Sequence, residues 1–280
     1  MSSNQLQNIT REQNKVYEQV LTGTVLNRGS DDPVIYNESE ILSRTESRIE
    51  QYQRNIVDAK NILQKMDVIF GSAIDSVHIA KQDITRAATE TMSETDRKII
   101  ADTLAETIDQ LISFANERHL ERHLFSGQKV DEKPIEFENG ELTYNGNNKN
   151  MHINISENMD VEVTQGADVV FGDLINSLYQ TEQAIRNNDT DAISEASALV
   201  DDAFEEFIDN RSRVGVQLKS VETMESAYTD TLTDLEIKKE DSLGIDLAKV
   251  FGEFKQLEYL YQSAIHSTLT MENISVLNFL

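Results

Sequence analysis

Two histidines four residues apart, His119 and His123, are the first candidates for chemistry, because this spacing places both side chains on one face of a helix. Such a pair can bind zinc when a third ligand lies nearby. The intervening residues match neither the HExxH nor the HxxEH zinc motif, since Leu120 and Arg122 occupy the deciding positions. No third ligand is visible. We therefore predict two partly exposed histidines at a helix end and no metal site.

An acidic pair, Asp31 and Asp32, is the second candidate. No clustered partner ligands support metal binding there. Asp32 instead suits the N-cap of the following helix, Pro33 suits its first turn, and Gly29 permits the chain to bend. These four residues are therefore predicted to form a structural turn.

No other pattern indicates catalysis. The GxSxG, P-loop and GxGxxG motifs are absent, and the remaining histidines, His78, His152 and His266, are dispersed. The chain contains no cysteine, which excludes a thiol nucleophile, a disulfide framework and a cysteine metal site. We predict no catalytic residue, no cofactor and no metal, so the protein is not expected to be an enzyme.

The charge balance excludes a further class of partner. The formal net charge is −25 at pH 7, whereas binding through a nucleic-acid backbone requires a basic face. The N-terminal residues are polar and lack the pattern of a cleaved secretory signal, and no apolar run approaches the roughly 20 residues that span a bilayer. We expect no nucleic-acid partner and no membrane insertion. The protein is either cytoplasmic or leaves the cell by a route that reads no such signal.

The C-terminal residues, 242–280, form the most distinctive segment. Apolar side chains recur there in steps of three and four, as on one face of an amphipathic helix, and continue to the last residue. Residues 4–26 carry a thinner seam with the same spacing. A wide apolar stripe at a chain end requires a partner, so both segments are predicted to form an assembly interface. Its candidate residues are Leu6, Ile9, Val16, Val20, Leu247, Val250, Phe254, Leu257, Tyr261, Ile265, Leu269, Leu277 and Leu280.

Between these ends, long three–four seams predict helices over 34–88 and 192–238, with a capping box at Ser93 opening another helix that ends at 120–127. Alternating segments between 135 and 163 predict short antiparallel strands. The predicted fold is mainly α: an elongated helical rod or coiled-coil bundle with a small antiparallel β insert at its far end. The expected parts are a terminal assembly helix (1–30), a rod (31–127), the β insert (128–170), a returning rod (171–241) and a second assembly helix (242–280).

Several short motifs follow one another in a characteristic order: residues 26–33 (LNRGSDDP), 51–59 (QYQRNIVDA), 93–97 (SETDR), 114–116 (FAN) with 124–127 (LFSG), 213–215 (RVG) with Leu218 and Glu222, and Ile245-Asp246 with Ala248. Their order resembles the flagellin superfamily, and most closely its hook–filament junction family. The segment TGTV at 22–25 departs from the basic stretch that is usual in the family.

This resemblance implies a structural protein of the bacterial flagellum, on which flagellin polymerises. It implies export without a cleaved signal through the flagellar type III apparatus, a ring of identical subunits, hook-associated protein 1 on the hook side, flagellin on the filament side, and a chaperone that holds the C-terminal helix in the cytoplasm before export. Two alternatives stay open. One is flagellin itself, and the other is a cytoplasmic coiled-coil signalling or adaptor protein.

Overall fold

The computed structural model describes residues 3–26, 29–30, 32–138 and 140–277, with side chains only from residue 6 to residue 267. The described helices are α1 (Ser3–Thr22), α2 (Pro33–Ala87), α3 (Glu94–Ala115), α4 (Asp173–Arg186), α5 (Thr190–Leu243) and α6 (Leu247–Leu277). The chain forms two compact units: unit 1 (Met1–Ile49 and Thr229–Leu280) and unit 2 (Glu50–Tyr228). The predicted mainly α fold with small antiparallel strands is confirmed.

The core of unit 2 follows from the predicted seam of α2. Ile56, Leu63, Phe70, Val77 and Ile84 recur every seven residues and are all buried. They pack with apolar side chains of α3, α4 and α5 in one contiguous cluster. Most of the stability of a helix in a protein comes from packing of its apolar face, so this buried seam is what holds the 55-residue helix α2 in place.

Four phenylalanines form the centre of that core. The ring of Phe70 lies 4.9 Å from Phe207, 6.0 Å from Phe125 and 6.3 Å from Phe171, measured between centroids. Each side chain is fully buried. Phe125 belongs to the connection after α3, so the cluster ties the non-helical segment to the helices.

Ion pairs fix how α2 and α5 run past each other in unit 2. Lys60 Nζ lies 2.6 Å from a carboxylate oxygen of Glu225, and Lys81 Nζ lies 2.6 Å from one of Asp201. As the residue number increases along α2, the residue number of the ion-pair partner on α5 decreases. The two helices are therefore antiparallel.

Three separate two-stranded antiparallel pairs make up the described β structure: β1 (Arg118–His119) with β2 (Arg122–His123), β3 (Ile135–Glu138) with β4 (Glu141–Tyr144), and β5 (His152–Asn154) with β6 (Asp160–Glu162). The last two pairs were predicted. The first corrects the expectation that a helix reaches residues 120–127, because α3 already ends at Ala115. There the amide of Asn116, the C-cap, bonds the Ile112 carbonyl, and the Asn116 side chain bonds Ile135 of β3.

The return from the strands to helix passes through a turn of π-helix, Asp168–Gly172, which leads directly into α4. This π turn was not predicted. The predicted start of α3 is confirmed, with Ser93 as its N-cap: the Ser93 hydroxyl accepts a bond of 3.2 Å from the amide of Asp96 and donates one of 2.7 Å to the Asp96 carboxylate.

In unit 1, the predicted break at 239–244 is wrong, because α5 continues to Leu243. Lys239 pairs there with Glu46 of α2, which stabilises the helix beyond the predicted stop. The last helix correspondingly begins at Leu247 rather than 242. Asp246 caps it by accepting bonds of 3.0 and 3.1 Å from the amides of Ala248 and Lys249. Within the described residues, no helix is both long and apolar enough to cross a membrane.

Candidate assembly surface

A backbone clasp joins the end of α1 to the start of the α6 segment in unit 1. The amide of Val25 donates a bond of 2.7 Å to the carbonyl of Leu243, and Thr24 forms an isolated antiparallel bridge with Gly244. The Gln19 side-chain amide donates a further bond of 2.7 Å to the Val25 carbonyl. The end of α1 is therefore held beside the end of α5 and the short link to α6.

The turn predicted before α2 is built as expected where it is described. The Asp32 carboxylate accepts bonds of 2.9 and 3.2 Å from the amides of Val34 and Ile35, which is N-cap geometry, and Pro33 is the first helical residue. Gly29 faces the ring of Tyr36, 3.3 Å from where a Cβ would stand. Asp31 lies outside the described residues.

One face of α6 packs against α1. The rings of Tyr17 and Phe254 lie 6.2 Å apart, and Val16, Val250 and Ala264 are buried. Other predicted interface residues are partly buried: Leu6, Ile9, Val20, Phe254, Leu257 and Tyr261. The structure thus brings most of the predicted seam together within one chain.

Two predicted interface residues are not covered. Leu247 is 62% exposed, and Ile265 lies on the same exposed side of α6. The side chains of Leu269 and Leu277, and all of Leu280, lie outside the described residues. The covered and uncovered residues differ by their angle around the helix, because α1 is too narrow to span the whole apolar arc.

The uncovered arc extends beyond the predicted residues. Phe251 and Leu260 flank the covered seam on opposite sides, and Tyr259 lies further round the helix. Tyr17 and Leu21 add to it from α1. Tyr17 and Leu21 were not among the predicted interface residues because they lie outside the three–four spacing of α1. Their large apolar side chains in an otherwise polar helix could have indicated them.

The two units differ sharply in how well they cover their apolar side chains. In the described part of unit 1, only five hydrophobic side chains are buried: Val16, Ile49, Leu235, Val250 and Ala264. Eleven large ones are exposed there: Tyr17, Leu21, Val34, Tyr36, Ile41, Ile237, Leu247, Phe251, Tyr259, Leu260 and Ile265. Unit 2 shows the reverse balance. Exposure of so many large apolar side chains is typical of a region that binds another protein.

The histidine pair does not form a chemical site. His119 and His123 lie on opposite strands of the β1–β2 hairpin and not at a helix end, which corrects the prediction. His123 is buried, its Nδ1 lies 2.8 Å from the carbonyl oxygen of Asn116, and burial lowers its pKa below the usual value. Among the described residues, no three histidine or carboxylate side chains group closely enough to hold a metal ion.

Comparison with known proteins adds the family relationship. Residues 1–129 match the model of the bacterial flagellin N-terminal helical region. The chain is 20% identical to flagellar hook-associated protein 3 of Escherichia coli over 94% of its own length and 91% of that protein.

Solved structures agree with the fold. FlgL of Bacillus cereus superposes with a TM-score of 0.64 at 20% identity, covering 71% of this chain and 99% of that one. The flagellar junction protein FlgL of Legionella pneumophila superposes with a TM-score of 0.64 at 15% identity, covering 74% and 99%. Residues 1–129 are thus similar to the N-terminal helical region of bacterial flagellin, the chain has the fold of the FlgL proteins, and the predicted resemblance to the flagellin superfamily is confirmed.

Proposed function

We propose that this protein is a structural subunit of the bacterial flagellum that forms the hook–filament junction, the adaptor on which flagellin polymerises. The observation that carries the proposal is the similarity to hook-associated protein 3 along 94% of the chain. The role is mechanical and needs no catalytic group.

The apolar surface of unit 1 supports this role. Seven exposed side chains lie on the described parts of α1 and α6: Tyr17, Leu21, Leu247, Phe251, Tyr259, Leu260 and Ile265. Burying what remains exposed of each is worth about 1 kcal/mol, since full burial of such a side chain is worth about 1.5–3 kcal/mol. These seven side chains are the apolar flank of unit 1. They lie on more than one side of α6, so their total of about 7 kcal/mol would be divided between different neighbours.

That magnitude favours assembly at a growing tip over pairing in solution. Association costs about 4–15 kcal/mol in lost freedom, so a contact between two copies through this flank alone is weak. A subunit that binds several neighbours at once forms several contacts but loses its translational and rotational freedom only once. The net charge of −25 further opposes association of free copies.

The interface residues follow from this argument. We assign Leu247, Phe251 and Ile265 to contacts with neighbouring subunits, since α1 leaves them uncovered. Val16, Val250 and Phe254 instead hold α1 on α6. The N-terminal and C-terminal helices act as one assembly element.

Partners follow from the proposed position. The protein associates with other flagellar components: copies of itself in a ring, hook-associated protein 1 on the hook side and flagellin on the filament side. A cytoplasmic chaperone covers α6 before export, because an apolar flank of this size promotes aggregation in an unassembled chain. Export proceeds through the flagellar type III apparatus. A chain without cysteine suits this route, since no disulfide forms on the way.

A deletion of the gene tests the proposal. Cells without the protein should make hooks but release flagellin into the medium, and a plasmid copy should restore filaments. Normal filaments in the deletion strain would exclude the junction role.

Electron microscopy of flagella labelled for this protein separates the alternatives. A label confined to the hook–filament boundary supports the junction. A label along the whole filament would identify a flagellin, and a label confined to the cell body would identify a cytoplasmic adaptor.

A further inference from the structure

The tip of the β1–β2 hairpin is strained and exposed at the same time. Leu120 and Glu121 form its two-residue turn, with φ of +48° and +68°. This left-handed conformation suits Asn-Gly, whereas for a residue with a Cβ it costs roughly 1–2 kcal/mol. Leu120 is 83% exposed, so packing within the chain does not offset the strain. A strained turn that presents an exposed apolar side chain points to a contact outside the free subunit.

The surroundings of Leu120 show what kind of contact this is. The hairpin borders a groove of about 390 Å³ with an apolar floor that includes Ile62 and Ile153. Arg118 and Arg122 stand on either side of the tip and are exposed. Among the described residues, Arg122 has no ion-pair partner, and Arg118 binds within the hairpin, where it donates to the carbonyl of Glu121 and lies 3.5 Å from the exposed Glu121 carboxylate. The surface is an apolar knob flanked by two guanidinium groups, in a chain with twice as many acidic as basic residues.

A face with the opposite pattern lies on α5. Glu195, Leu199, Asp202, Glu206 and Asp209 are spaced by four, three, four and three residues, so they share one side of the helix. All five are exposed, and Leu199 is 46% exposed. Within the part of the chain that the structure describes, none of these four carboxylates has an ion-pair partner. This acidic face of α5 is an apolar side chain surrounded by carboxylates.

We propose that the β1–β2 hairpin of one copy docks on the acidic face of α5 of a second copy, with Leu120 beside Leu199 and the arginines against the carboxylates. An apolar centre inside a charged rim is the usual arrangement of a specific protein contact. The proposal rests on the proposed function, because it specifies one contact between neighbours in the ring.

Charge complementarity selects a second copy as the occupant. A basic tip on a protein of net charge −25 is attracted to the surface of its own kind, which is acidic. The contact joins two different surfaces, so each copy offers one and accepts the other. Head-to-tail repetition of this kind builds rings or helical assemblies instead of closed pairs.

The two surfaces cannot meet within one chain. The hairpin lies against residues 58–62 of α2, whereas Leu199 lies beside Asp201, which pairs with Lys81. These two positions along α2 are about 20 residues apart, which corresponds to about 30 Å at 1.5 Å per residue. A contact between Leu120 and Leu199 is therefore intermolecular, and it staggers neighbouring copies by about 30 Å along the helices.

Engineered cysteines test the contact directly, because the chain has none of its own. Cells lacking the native gene would produce the full chain with Leu120→Cys and Leu199→Cys, and isolated hooks with attached filaments would be treated with a short bismaleimide. We expect a ladder of covalent dimers, trimers and higher species on denaturing gels. The matched control pairs Leu120→Cys with Val68→Cys, which is 62% exposed on α2 and outside the acidic face. The control should give at least tenfold less product.

The charged rim gives a second arm. Arg118→Glu with Arg122→Glu in the cysteine pair should reduce the ladder at least tenfold, and adding Asp202→Lys with Glu206→Lys should restore it. Leu120→Asn removes the knob but tolerates the left-handed backbone. This variant should unfold at an equal or higher temperature and yet restore fewer attached filaments.

The outcomes separate this contact from the proposed function. Filaments that attach normally without any Leu120–Leu199 ladder, or with an equally strong control ladder, would overturn the contact and leave the junction role intact. Absence of the protein from the hook–filament boundary would overturn the role itself.

Discussion

Replacing Gly127 by alanine should be among the most damaging single-methyl changes in unit 2. Gly127 has a φ of +65°, and a Cβ added there would lie 2.0 Å from the carbonyl oxygen of Asn147. Asn147 must therefore move. Its carbonyl accepts a bond of 3.0 Å from the Tyr144 hydroxyl, and its side-chain oxygen accepts one of 2.9 Å from the amide of Gln128. Its own amide donates a bond of 3.1 Å to Ser126.

The expected cost follows from these contacts. The left-handed backbone costs about 1 kcal/mol for alanine, and weakening three hydrogen bonds costs about 1 kcal/mol each. We expect a loss of about 3–4 kcal/mol in the free energy of unfolding of unit 2. For a unit of this size, that loss corresponds to a Tm lower by about 10 °C.

Urea and thermal unfolding followed by circular dichroism would measure the change. Gly215→Ala is the matched control, because Gly215 lies inside α5 with no other heavy atom within 4 Å of the new methyl group. Alanine should stabilise the helix there by about 0.5–1 kcal/mol. A Gly127→Ala variant within about 1 kcal/mol of the native chain would refute the steric argument. Equal losses for both variants would do the same.

Four further results are expected. Arg97→Met should cost about 2–3 kcal/mol in urea unfolding, because the buried guanidinium donates to backbone carbonyls of Ala87 and Thr89 that would lose their partner; an unchanged unfolding midpoint would contradict this. Because burial lowers the pKa of His123 in the folded chain, the unfolded chain binds the proton more readily, so stability should fall as pH drops through about 6.5, and His123→Gln should show a smaller fall between pH 7.5 and 5.5. Phe251→Asp should leave the melting curve of the free subunit unchanged but fail to restore filaments in a deletion strain, whereas Gln256→Asp, at another exposed position of α6, should restore them. In hydrogen exchange of the free subunit, amides of α1 and α6 should exchange much faster than those of the α2 core; equal protection would contradict the assembly role.

The long helices were predictable because their burial is periodic. Leu63, Phe70 and Val77 lie at spacings that only a helix places on one face, and every turn of α2 repeats the signal. The interface seam was predictable for the same reason. The division of this seam into a covered and an uncovered part was not predictable, because it depends on how much of α6 the helix α1 can cover.

Features that depend on tertiary contacts could not be predicted from the sequence. The β1–β2 turn carries Leu120 and Glu121 where a hairpin normally signals with Asn-Gly, so nothing local marks it. The π turn at Asp168–Gly172 likewise has no sequence signature. The extension of α5 past Lys239 follows from its partner Glu46, which lies almost 200 residues away in the chain.

The clasp between Val25 and Leu243 determines when the assembly surface comes into existence. It closes a loop of about 220 residues, which costs about 5 kcal/mol of chain entropy in an otherwise unfolded polypeptide. Once α2 and α5 have paired, the remaining loop is the connection of about ten residues between α1 and α2. The closure then costs only about 2 kcal/mol.

The entropy cost of the clasp is therefore lowest once the neighbouring parts of α2 and α5 have paired, and we expect the terminal pair to close late in folding and to open early in unfolding. Until the clasp closes, α1 and α6 do not form one joint surface. The assembly surface that we propose therefore exists only in the folded subunit.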